Sequence, residues 1–73
     1  MTEPPDRLDP EEVLRVELAA LREQHRDLDD AIAALEGAPL PDMLQVRRLK
    51  KRKLALKDRI ARIEDALTPD IIA

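Results

Sequence analysis

Leu35-Glu36-Gly37-Ala38-Pro39-Leu40-Pro41-Asp42 is the stretch whose reading decides the fold. Two prolines so close together cannot carry a helix forward, because each lacks an amide donor and its ring clashes with the preceding turn. Gly37, just ahead of them, suits the left-handed residue that closes many helices. Upstream of the break, Leu14, Leu18, Leu21, His25, Leu28, Ile32 and Leu35 recur at alternating steps of four and three. Downstream, Val46, Leu49, Lys53, Leu56, Ile60, Ile63 and Leu67 repeat the alternation. Such a seven-residue repeat marks helices that pack side by side. A short connection makes them antiparallel neighbours. The chain therefore reads as all-α: an antiparallel, coiled-coil-like two-helix hairpin.

The boundaries follow from capping chemistry. Residues 1–8, proline-rich and charged, predict a flexible N-terminal tail with little apolar area to offset ordering. The helical hairpin spans 9–67. Asp9 stands at the N-cap, Pro10 at the first helical position and Glu12 where a capping-box partner belongs, so the first helix covers about 10–36. Residues 37–41 form the turn. The second helix covers about 42–67 and stops before Thr68-Pro69, leaving 68–73 as a C-terminal tail.

With 73 residues the chain holds one domain at most. It is 44% apolar and 40% charged, without Phe, Tyr, Trp or Cys, a composition of long helices rather than of an enzyme. The missing cysteine excludes disulfides and thiolate metal sites. No apolar run approaches the roughly 20 residues that span a bilayer. The acidic, proline-rich start is the opposite of a signal peptide, so a cytoplasmic location is expected. Behind the net charge of −3 lies an asymmetry. Glu11 to Glu36 holds three basic and eight acidic residues, a net −5, whereas Asp42 to Leu67 holds nine basic and four acidic, a net +5.

Pairing the seams across the turn sets Ile32 against Val46, Leu28 against Leu49, Leu21 against Leu56, Leu18 against Ile60 and Leu14 against Ile63. The same register predicts Glu17 near Arg59, Asp29 near Lys50 and Arg15 near Glu64, with Arg22 near Lys57 as one unfavourable pair. The layer that is not aliphatic joins His25 to Lys53. A polar seam position fixes register and partner number at a cost in stability. The lysine stem can cover the seam while its ammonium reaches out. Two facing cations would repel, so this layer favours a neutral His25 and predicts sensitivity to acid.

A hairpin with one seam buries little, and small domains need help from elsewhere. Val13, Val16, Ala20, Met43, Leu44, Leu54 and Ala61 lie off the seam and form a candidate second interface. The expected partner is a second copy, giving a four-helix homodimer, or another helical protein. Arg47, Arg48, Lys50, Lys51 and Arg52 form a candidate basic patch, which raises weak nucleic-acid association as the alternative function. Against that stand the acidic first helix and the lack of aromatics for base stacking. His25 alone cannot supply the three or four ligands zinc requires, so no metal or cofactor is expected. There is no glycine-rich phosphate loop, no nucleophile–base pair and no small-molecule site. The reading is a non-catalytic protein–protein interaction module.

Two motifs carry a family resemblance. Glu23-Gln24-His25-Arg26-Asp27-Leu28-Asp29-Asp30-Ala31-Ile32 and Leu49-Lys50-Lys51-Arg52-Lys53-Leu54-Ala55-Leu56-Lys57-Asp58-Arg59-Ile60 resemble the YdcH-like family of short bacterial proteins, a domain of unknown function. The similarity covers roughly residues 14–65. The resemblance implies a small cytoplasmic helical hairpin and brings no activity with it. The proline-rich start, the Gly37–Pro41 turn and a first helix without an aromatic depart from the family pattern.

Overall fold

A computed structural model describes residues 9–68. The two tails expected over 1–8 and beyond Thr68 therefore fall outside the described residues. Helix α1 spans Pro10–Glu36 and helix α2 spans Met43–Leu67, and the two pack against each other as a hairpin. At 27 residues, α1 is about 40 Å long.

The ends of the helices are closed by different means. The Asp42 side chain accepts a hydrogen bond from the Gln45 amide at 3.1 Å, a side-chain N-cap that satisfies one free donor of the first turn. Asp9 makes no such bond, which corrects the expected capping box. Its extended backbone (φ −59, ψ 141) leads into Pro10, and only its carbonyl engages the helix, accepting from Val13 N at 3.1 Å. Because Pro10 has no amide hydrogen, the first turn already has one donor fewer to satisfy. Gly37 closes α1 in a right-handed conformation (φ −83, ψ −4), not the left-handed one expected from its type. Its amide still reaches Ala33 O at 3.0 Å, and Ala38 N reaches Leu35 O at 3.2 Å, so the chain leaves the helix through a tightened last turn. At the other end Thr68 caps α2, donating from Oγ1 and from its amide to Glu64 O at 2.7 and 3.0 Å.

Every seam residue on both helices is buried or half-buried. Burial is not even along the hairpin. Ile32 and Val46, at 5% and 1% exposure, form a tight node near the turn, and Leu18 and Ile63, at 8% and 5%, form a second near the open end. Those four are the fully buried apolar side chains among the described residues. Between the two nodes, where the seam is least closed, stands the polar layer.

Candidate functional site

His25 and Lys53 both occupy seam positions, so the packing of the neighbouring leucines holds their stems inward. Their side chains retain 27% and 34% exposure. The structure adds a third member to the layer. Lys53 Nζ donates to Asp29 Oδ1 at 2.6 Å, and His25 Nδ1 lies 4.0 Å from Asp29 Oδ2. Asp29 follows His25 by four residues and so stands on the same face of α1, one turn along. The cation from α2 is thus met by a carboxylate from α1. The hydrogen bond from Lys53 holds the Asp29 carboxyl below its ordinary value of 3.8, with the charges of Lys53 and His25 adding to the effect and partial burial opposing it. His25 Nε2 is buried and has no hydrogen-bond partner among the described residues. The layer is therefore one satisfied ion pair beside one orphaned ring nitrogen.

The other ion pairs define the two flanks of the hairpin. On one flank Arg22 meets Glu64 at 2.6 Å and Lys50 meets Glu36 at 3.0 Å. On the opposite flank Arg59 donates from Nε, at 2.9 Å, and from Nη2 to a single Glu17 oxygen. Glu17 with Arg59 agrees with the register read from the seams. The remaining pairs differ from it: Asp29 takes Lys53 instead of Lys50, Glu64 takes Arg22, and Arg15 turns to Glu11 on its own helix at 2.6 Å. The physical reason is that helical side chains lean toward the N-terminus of their own helix. In an antiparallel pair these leans are opposed, so long side chains meet partners one to two turns beyond the level position. The repulsion expected between Arg22 and Lys57 gives way to the Arg22–Glu64 pair.

The seven residues of the candidate second interface are all exposed. Helical spacing does not place them together. Met43, Leu54 and Ala61 stand at steps of seven, four and three from Lys50, Lys50 and Glu64, on the flank of those two ion pairs. Val13 and Ala20 stand four and three residues from Glu17, on the other flank. Val16 and Leu44, each two residues from a seam position, point to the outer backs of their helices. The basic-patch residues Arg47, Arg48, Lys50, Lys51 and Arg52 are likewise exposed. Lys50 is tied to Glu36, while the other four make no ion pair among the described residues. The missed member of the polar layer is Asp29. Its spacing from His25 was visible, but its partner across the hairpin depended on side-chain lean.

No group of His, Cys, Asp and Glu among the described residues could hold a metal ion. A groove at the open end, lined by Arg15, Leu18, Arg22, Glu64, Leu67 and Thr68, contains the ion pair already described, and its Thr68 hydroxyl is spent on the Glu64 carbonyl. No helix among the described residues is long and apolar enough to cross a membrane.

Fold and site together define a small all-helical hairpin with a charged layer across its middle. The chain belongs to a family described as "Protein of unknown function (DUF465)", which matches residues 18–64. That span lies within the 14–65 stretch from which the YdcH-like resemblance was read, and agrees with it. Comparison with curated proteins returns no match, and comparison with solved structures returns none.

Proposed function

We propose that the protein is a self-associating interaction module, a hairpin that completes its core by pairing with a second copy into a four-helix bundle. One observation carries this reading. Four apolar side chains among the described residues are buried, while Val13, Val16, Met43, Leu44 and Leu54 are 45–65% exposed. Small domains with so thin a core usually draw stability from association. The polar layer suits the role, since a charged layer disfavours slipped registers in which Lys53 would lose Asp29. Sedimentation equilibrium and thermal unfolding from about 1 μM to about 1 mM test it, because the stability of a dimer rises with its concentration. A sedimenting mass and a melting temperature both independent of concentration would sink the proposal.

A second reading, weak nucleic-acid association, draws on Arg47, Arg48, Lys51, Arg52, Lys57 and Arg62, which make no ion pair among the described residues. With no aromatic to stack on bases, only phosphate attraction supports it. Such attraction would retard a DNA duplex at low salt and lose it at physiological salt. Retardation that survives physiological salt would move this reading ahead of the first.

A further inference from the structure

The flank on which Arg59 meets Glu17 carries a second seven-residue repeat on each helix. On α1 it sets Val13, Ala20, Asp27 and Ala34 in one exposed row. On α2 it interleaves Arg48, Ala55 and Arg62 with Arg52, Arg59 and Ala66, all exposed. The two rows border one groove, where Gln24, Asp27 and Leu28 face Arg52 and Leu56. Alanines in both rows leave room for another helix to approach closely.

The charges on this flank are of one kind per helix. Its cations are all arginine, whereas Lys50, Lys53 and Lys57 lie toward the other flank. Arginine's planar fork matches a carboxylate in two-point geometry, which lysine cannot do. Among the described residues, Arg59 alone of these four arginines has a carboxylate partner. On α1, Asp27 stands on this flank, and Glu23 and Asp30, four and three residues from it, stand beside it toward the outer back of the helix; none of the three makes an ion pair among the described residues. Among the described residues of one copy, acids and arginines that suit each other are left unmatched.

We propose that this flank receives a second copy of the chain, with the acidic α1 of each copy lying antiparallel along the arginine row of the other's α2. This rests on the self-association reading and adds the face, the orientation and the charges that select them; of the exposed apolar side chains it covers Val13 and leaves Val16, Met43, Leu44 and Leu54 outside. Two arrangements would bring the flanks together. A two-fold axis across the helices stacks α1 on α1 and α2 on α2, opposing like charges. An axis along the hairpin sets α1, net −5 from Glu11 to Glu36, over α2, net +5 from Asp42 to Leu67. It also keeps heights unchanged, so Asp27 of one copy lies level with Arg52 of the second. The contact is self-complementary and closes, as a two-fold interface must. A nucleic-acid backbone fits less well, since Glu17 and Asp27 share the face with the arginines.

The test is a charge swap on the full chain. One variant carries Arg48→Glu, Arg52→Glu and Arg62→Glu, and another carries Glu23→Lys, Asp27→Lys and Asp30→Lys. A control carries the same charge change off the groove: Arg47→Glu, Lys51→Glu and Lys57→Glu. Circular dichroism checks that each remains helical, and sedimentation reads the assembly. Each groove variant alone should dimerise about 100-fold more weakly, since like charges are brought face to face. An equimolar mixture should form a heterodimer, and the control should stay dimeric. If wild type is dimeric and the groove variants match it, or the control fails equally, this interface is overturned while self-association stands. If wild type is monomeric throughout, both fall. Retardation of a DNA duplex lost only in the arginine variant would then assign the row to nucleic acid. Should the triple variants lose helicity, Arg52→Gln with Arg62→Gln, and separately Asp27→Asn, decide. Weakening of about tenfold supports the interface, and unchanged dimers overturn it.

Discussion

Lys53 of α2 and Asp29 of α1 meet at 2.6 Å across the middle of the hairpin, so the cation in one aliphatic seam is answered by a carboxylate beside the histidine of the other. The interruption in the two seams is therefore a three-residue arrangement, and its acid sensitivity follows from Asp29.

The bonded ammonium depresses the Asp29 carboxyl below 3.8 in the folded chain. A group depressed on folding contributes stability that is present above its unfolded value and lost as the pH falls through the folded one. The Lys53–Asp29 contribution should thus be complete at pH 7 and fade below about pH 4. Urea denaturation of wild type and Asp29→Asn should differ at pH 7 and converge as the pH falls through the depressed Asp29 value. Equal separation above and below that value would exclude this role for Asp29.

His25 contributes a buried nitrogen without a partner among the described residues, and unmet buried polar groups cost about 1–3 kcal/mol. His25→Leu should therefore raise stability by about 1–2 kcal/mol in urea at pH 7, through removal of that atom and a more apolar seam. A destabilised His25→Leu protein would show that the ring is doing more than filling the seam.

The two aspartates that open the helices should behave differently. Asp42 accepts the Gln45 amide, so Asp42→Ala should cost about 1 kcal/mol. Asp9 makes no cap bond, and Asp9→Ala should lie within about 0.5 kcal/mol of wild type. Thermal unfolding of the pair decides it, and equal losses would contradict the asymmetry.

Gly37 offers a route to higher stability. Its φ of −83 is open to any residue, and a methyl added there meets Ala33 O at 3.4 Å, an ordinary contact. Gly37→Ala should therefore stabilise by about 0.4–1 kcal/mol by restricting the unfolded chain. A lower melting temperature would mean that the turn needs the glycine for some other conformation.

Substitutions along the seam and off it separate core from surface. Ile63→Ala and Ile32→Ala remove buried side chains and should each cost about 2–4 kcal/mol. Leu54→Ala, at a position 65% exposed in the single chain, should change stability by less than about 0.5 kcal/mol under dilute conditions. A large loss at Leu54 that appears only in concentrated protein would place it in an interface on the flank opposite the arginine row.

The seams and the turn could be read from the sequence alone, because a seven-residue repeat and a proline-rich break are local properties of the chain. Chain order and a short connection also sufficed to make the helices antiparallel. Tertiary structure decided what depends on the reach of one helix toward the other. It gave Lys53 to Asp29 and Glu64 to Arg22, because opposed side-chain leans carry long residues one to two turns past the level pairing. It placed Met43 and Leu54 on one flank and Val13 and Ala20 on the other, although composition had grouped them. It also kept Gly37 right-handed, since the last turn of α1 could close on Ala33 and Leu35 without a left-handed residue. Periodicity says which face of a helix is apolar, but only the packed pair says which sides of two helices share a flank.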